Sequence, residues 1–238
     1  MKYSPLNLVG LEAPVPAVIF YPTNSDGPHP VILAQHGGSS HKLGADIESV
    51  VKYYVPLGFA VLAVDGPIHG DRREGGAESA SREQTRAEFF KVWHSPGNGS
   101  MVMTDSWNQA LRWIETQENL SAENVFWYGV SMGTAYGVPF LSQTFGVRAA
   151  VLGMWGLCFP NSDILAQMAS KIQIPVLFQV KWDDELFSRQ GQLDLYERIA
   201  STQKWLNIYP GQHVPVIGKQ ADDARRFFLE HLPTAPSN

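Results

Sequence analysis

Gly129-Val130-Ser131-Met132-Gly133 forms a G-x-S-x-G pentapeptide that could carry nucleophilic chemistry. In such a turn a strand reverses sharply into a helix, with the serine at the apex in a strained backbone conformation. The flanking glycines admit the close approach of neighbouring backbone. The helix that follows aims its free N–H groups at developing negative charge. A serine hydroxyl is a weak nucleophile at neutral pH. It needs a histidine to take its proton and an acid to orient that histidine.

Two histidines lie downstream of Ser131. His213 sits in Tyr209-Pro210-Gly211-Gln212-His213-Val214-Pro215, a loop after the last strand candidate, where functional groups are usually presented. His231 falls near the end of the last helix candidate, a place that tolerates a cation. His213 is therefore the expected base. The expected acid follows the run Val176 to Val180, in Lys181-Trp182-Asp183-Asp184-Glu185. Asp184 is preferred over Asp183, with Glu185 third. Asp194, Asp222 and Asp223 fall on helix candidates and read as surface charges.

Acyl transfer also needs donors aimed where the tetrahedral oxyanion forms. The N–H of Met132, directly after the serine, is one. The other is expected from His36-Gly37-Gly38-Ser39-Ser40, with Gly38 assigned as donor. His36 is a rival base; its plainer reading is a buried residue that braces this loop.

The elements that must position these groups alternate between strand and helix patterns. Strands are expected at Pro14 to Tyr21, Val31 to His36, Phe59 to Asp65, Val125 to Tyr128, Ala149 to Met154, Val176 to Val180 and Trp205 to Tyr209. Helices are expected at Ala45 to Pro56, Arg86 to Trp93, Met101 to Gln117, Gly133 to Thr144, Asp163 to Lys171, Leu193 to Ala200 and Asp222 to His231. The tail from Pro233 to Asn238 is expected to fray. This alternation implies βαβ units and a mostly parallel sheet. No repeat or long linker divides the chain, so residues 1–238 read as a single domain. Residues 66–100 are the first candidate for a site-covering insertion, and Cys158 to Lys171 the second.

Composition narrows the function classes. A net charge of −5 with no Lys/Arg run gives no footprint for nucleic acid. The single cysteine, Cys158, cannot form an internal disulfide. No secretory leader and no stretch of membrane-spanning length is recognised, and a cytoplasmic protein is the expectation. No Cys/His cluster has metal-ligand spacing. The composition does not indicate an oligomeric state.

With these residues in place, the chain resembles the α/β-hydrolase superfamily from about Pro14 to Leu232. Within it, the chain is similar to small bacterial esterases of the dienelactone-hydrolase and prolyl-oligopeptidase-like groups. VILAQHGGSS, AVLAVDGPIHGDR, FWYGVSMGTAYG, PVLFQVKWDDEL and YPGQHVP carry the resemblance. It implies a mostly parallel twisted sheet flanked by helices on both faces, with a minimal lid or none. It implies hydrolysis of carboxylic esters by Ser131, His213 and Asp184, without a cofactor. The chain order serine, acid, histidine of that superfamily sets His36 aside as base. It also implies that the DGPIHGDR stretch shapes the site entrance. Two departures stand out. Lys181 occupies a place where the loop before the acid usually has glycine. Dienelactone hydrolases proper use cysteine where this chain has Ser131, which favours a general esterase.

Trp155, Trp182 and Trp93 are the expected substrate-binding residues, forming an apolar pocket beside the catalytic groups. A lactonase, thioesterase or peptidase could use the same groups. The reading from a different class is a catalytically silent ligand-binding scaffold.

Overall fold

The computed structural model describes residues 3–11, 13–23 and 26–233. Eight strands form one sheet: β1 (Ser4–Val9), β2 (Pro14–Phe20), β3 (His29–Gln35), β4 (Ala60–Val64), β5 (Leu120–Tyr128), β6 (Val147–Gly153), β7 (Val176–Lys181) and β8 (Lys204–Tyr209). Their order is β1-β2-β4-β3-β5-β6-β7-β8. β2 pairs antiparallel with both β1 and β4, and every other pairing is parallel.

The central strands are continuous apolar runs because helices cover both of their faces. Along β3, Val31 and Leu33 pack to one side, and Ile32 and Ala34 to the other. The second side is covered by α1 (Ala45–Tyr54) and α7 (Lys219–Glu230), through Ile47, Val50, Val51, Tyr54, Ala224, Phe227 and Phe228. The first carries α2 (Arg82–His94), α3 (Ser100–Glu115), α4 (Met132–Leu141), α5 (Ile164–Ala169) and α6 (Arg189–Arg198). All ten residues of α4 are buried, so this helix is apolar all round rather than amphipathic.

This is the α/β-hydrolase fold expected from the sequence. Several elements differ from that reading; β5 starts at Leu120 rather than Val125, the helix expected from Leu193 starts at Arg189, and the last helix starts at Lys219 rather than Asp222. β1 was not expected, because only Leu8 on it is buried and Pro5 interrupts its pattern. An edge strand tolerates both features, since one side of its ladder is free. The helix expected at Arg86 to Trp93 begins earlier, at Arg82. Ser81 caps it: the Gln84 N–H donates to Ser81 Oγ at 3.2 Å, and the Ser81 N–H donates to Gln84 Oε1 at 2.8 Å. This reciprocal capping box adds a full turn to the helix. The expectation of a frayed tail falls mainly on residues 234–238, outside the described residues.

β3 has β4 on one side and β5 on the other, so the winding of the sheet reverses between β3 and β5. In open α/β sheets, ligands bind at the carboxyl ends of strands at such a point. The loop after β3 carries Gly38, and the turn after β5 carries Ser131.

Candidate active site

Ser131 forms the junction between β5 and α4, with φ 57° and ψ −122°. That is a costly conformation for a residue with a side chain, and the surroundings must hold it. The Ser131 N–H donates to the Gly153 carbonyl at 2.9 Å. The Thr134 hydroxyl bonds both the carbonyl and the N–H of Gly153, at 2.6 and 2.7 Å. The turn is thereby fastened to the end of β6. A Cβ on Gly129 would lie 2.9 Å from Gly133 Cα, and one on Gly133 would lie 3.1 Å from the Gln35 carbonyl oxygen. Those contacts explain the two glycines of the pentapeptide.

His213 Nε2 lies 3.0 Å from Ser131 Oγ, and His213 Nδ1 lies 2.9 Å from Asp184 Oδ2. The Asp184 side chain is 1% exposed, and its other oxygen accepts the N–H groups of Leu186 and Phe187, both at 2.9 Å. The neighbouring acids do something else. Glu185 accepts the backbone N–H of His213 at 2.8 Å. Asp183 faces Gly211, exchanging backbone and side-chain bonds with it. The three adjacent carboxylates thus join two loops, and only Asp184 meets the imidazole. His231 lies away from this line, with Nδ1 2.7 Å from the Phe227 carbonyl at the end of α7.

Among the described residues, neither the Met132 nor the Gly38 N–H has an acceptor in the protein. The Gly38 loop is braced from three directions. Asp46 of α1 accepts the Gly37 N–H at 2.7 Å. His36 Nδ1 donates to the Gly37 carbonyl at 2.9 Å while its Nε2 accepts the Gly66 N–H, also at 2.9 Å. His69 Nε2 donates to the Gly38 carbonyl at 3.1 Å. His36 is thus committed to the backbone, as its plainer reading held. A Cβ on Gly38 would lie 2.5 Å from the buried Phe89 ring. Gly38→Ala is expected to lower kcat on a short p-nitrophenyl ester by about 100- to 1000-fold with little change in KM, the cost of one misplaced oxyanion donor.

The DGPIHGDR stretch folds around Asp65. Its carboxylate accepts the N–H groups of Lys42 and Asp71, at 2.9 and 2.8 Å, and pairs with Lys42 Nζ at 2.6 Å. Burial alone would raise the Asp65 pKa; His36, Lys42 and the two amides together hold it below the usual carboxylate value. Arg72 donates to Ser106 Oγ at 2.7 Å, so it is a tie between elements rather than a free cation.

Burial and the neighbouring His36 push the His69 pKa down to about 3, and burial also lowers that of His36. At neutral pH both rings are neutral in the folded protein, whereas an unfolded histidine titrates near 6.5. Below that pH the unfolded chain binds more protons than the folded one, so stability is full above about pH 6.5 and falls as pH drops towards 3. His69 alone is expected to remove about 2 kcal/mol between pH 6.5 and pH 5. Urea midpoints at pH 7.5 and pH 5 check this; a midpoint unchanged or higher at pH 5 would contradict it.

A cavity of about 580 Å³ opens beside Ser131 and His213. Its walls come from the Gly38 loop, α1, α2, the start of α7 and residues 214–217. The three tryptophans expected there do not line it. Trp93 and Trp155 are fully buried behind Phe89, with ring centroids 5.0 Å apart. Their N–H groups are taken by the Pro160 carbonyl and Ser162 Oγ. Trp182 is 47% exposed and lies under the Arg189 guanidinium, outside the cavity. The aromatic lining is instead Tyr53, Tyr54, Phe89, Phe90 and Tyr128. Sequence reasoning did not single out Phe89, Phe90 or Tyr53, which fall inside the helices expected at Arg86 to Trp93 and Ala45 to Pro56.

Comparison with known proteins adds an independent line. The family model for dienelactone hydrolases matches residues 15–214. The chain belongs to the dienelactone hydrolase family. A search of proteins of curated function finds no match. Among solved structures, a cold-adapted esterase from an Arctic intertidal metagenomic library is 29% identical, with a TM-score of 0.81 over 97% of this chain and 93% of that one. An acetyl xylan esterase from Paenibacillus sp. R4 is 15% identical, with a TM-score of 0.72 over 97% and 84%. A dienelactone hydrolase from Anabaena variabilis is 16% identical, with a TM-score of 0.67 over 98% and 99%. The last two share the fold. Membership of the dienelactone hydrolase family and the 29% identical esterase support ester hydrolysis. Among the described residues no helix is long and apolar enough to cross a membrane.

Proposed function

We propose that this protein is a serine hydrolase of small carboxylic esters, working through an acyl-enzyme. One observation carries the reading: a continuous line of hydrogen bonds from Asp184 through His213 to Ser131 Oγ, beside the Met132 and Gly38 N–H groups, which have no acceptor among the described residues. In this reading Ser131 Oγ attacks the ester carbonyl while His213 Nε2 takes its proton. The N–H groups of Met132 and Gly38 receive the oxyanion. His213 returns the proton to the departing alcohol. Water then enters, gives its proton to His213 and releases the acid by the same relay. Asp184 keeps the ring in the tautomer with its proton on Nδ1, leaving Nε2 free to accept.

A fluorophosphonate probe tests this directly, because it reacts only with an activated serine. Stoichiometric labelling of Ser131, found by peptide mass spectrometry, is the expected result. Absence of labelling in folded protein would favour a silent scaffold instead.

A further inference from the structure

The two sides of the cavity beside Ser131 differ in character. On the α2 side the lining includes Arg82, Glu83 and Arg86. On the side of α1 and α7 it includes Val50, Tyr53, Tyr128, Val130, Val216 and Ile217. Val50 and Tyr128 belong to the apolar cluster that also holds the inner residues of α1 and α7, and Tyr53 and Val130 pack against it. Asp46, Val50 and Tyr53 recur at helical spacing, so one stripe of α1 faces the cavity. From Asp46 to Tyr53 that stripe runs about 10 Å, at a rise of about 1.5 Å per residue. The apolar lining also continues out to the surface. Ile217 is 67% exposed and Val214 is 44% exposed, and both line the cavity. The lip that follows His213 is therefore apolar and open to water. Apolar side chains exposed together at the mouth of a cleft mark a surface that a ligand covers.

The charged groups around this side are already paired. Asp46 accepts the N–H groups of Gly37 and Ile47 and the Ser40 hydroxyl. Arg225 of α7, whose charge reaches Tyr54, pairs with Asp222 at 3.4 Å. Lys219, at the start of α7, pairs with Asp223 at 3.2 Å. The exposed Glu48 and Lys52 of α1 lie 3.8 Å from each other. Burial keeps the Tyr54 and Tyr128 hydroxyls protonated. A charged substrate group would lose water here without gaining a partner, whereas a hydrocarbon chain gains by leaving water.

We propose that the α1–α7 side of the cavity is a track for an unbranched, uncharged alkyl chain of the ester, held between the α1 stripe and residues 214–217. The preferred substrates are then aliphatic esters with a chain of about six carbons rather than the smallest esters, in line with the length of the stripe. Ile217 is a residue that sets this preference. This rests on the Ser131 esterase reading.

The test lengthens the chain on either side of the ester, below the concentrations at which the longer esters form micelles. One series is the ethyl esters of acetic, butanoic and hexanoic acid. The other is ethyl, butyl and hexyl acetate. In the wild type kcat/KM is expected to rise about twofold per methylene in at least one series, about 16-fold from two carbons to six, half on a logarithmic scale of what full burial would give. Ile217→Asp is expected to bring the six-to-two-carbon ratio of that series to within about threefold of unity, because it sets a charge on the apolar lip. Its melting temperature should stay at the wild-type value, since Ile217 is exposed. Phe145→Asp is the control: Phe145 is 96% exposed and follows the end of α4 remote from Ser131, so the ratio should keep its wild-type value. The wild-type ratios need no variant, so a folding failure would not spare the proposal. No gain with chain length in either series, a gain that survives in Ile217→Asp, or one lost equally in Phe145→Asp overturns it. Ser131-dependent hydrolysis of ethyl acetate would then leave the esterase reading standing; no hydrolysis of any ester would overturn both.

Discussion

Ser131→Ala is expected to lower kcat on a short p-nitrophenyl ester by about a million-fold, the scale set by removing the nucleophile from a serine hydrolase. The variant should fold. Alanine meets the same positive φ as serine, and the turn is held by the Ser131 N–H to Gly153 and by Thr134, neither of which needs the hydroxyl. What survives are the two N–H groups and the cavity, which retain part of the rate enhancement over water. The His213 ring stays in place through Asp184, now without a proton to take. The measurement is steady-state hydrolysis with protein purified away from wild type, alongside a urea melt. A folded variant within about tenfold of wild type would remove Ser131 from the role of nucleophile.

How legible was this in the sequence? The parts that repeat locally were readable. Apolar runs mark strands buried on both faces, and a turn with obligatory glycines marks a backbone that permits little else. The order of elements and the expected fold follow from these. Pairs that meet only through long-range packing were harder. His213 and Asp184 are twenty-nine positions apart and lie on separate loops, yet the ends of β7 and β8 place those loops together. Nothing local distinguishes Asp184 from Asp183; the difference is which carboxylate points inward between the two loops. The tryptophans failed as pocket residues for a related reason. A large ring after a strand can face the cavity or the packed layer behind it, and Phe89 on α2 takes the cavity side. The bracing of Gly37 by Asp46 and of Gly38 by His69 was also invisible, since each comes from a different loop or helix.

Asp184→Asn should cost about 10^4-fold in kcat, although it changes one atom and no charge-bearing neighbour. The reason lies in the hydrogen bonds of the carboxylate. Its Oδ1 accepts the N–H groups of Leu186 and Phe187, both at 2.9 Å. An asparagine must keep its oxygen there, because its NH₂ would face two donors. The NH₂ is then turned towards His213 Nδ1, which must accept rather than donate. The ring proton moves to Nε2, and the base that should take the Ser131 proton already carries one. Asp183→Asn and Glu185→Gln serve as controls with the same change in charge. Asp183 makes an exposed 3.4 Å contact with the Gly211 N–H, and Glu185 accepts the backbone N–H of His213 rather than a ring nitrogen. Neither can set the tautomer, so each is expected to stay within about tenfold of wild type, in line with the modest worth of surface polar contacts. A loss of several orders of magnitude in Asp183→Asn, with Asp184→Asn near wild type, would transfer the orienting role to Asp183.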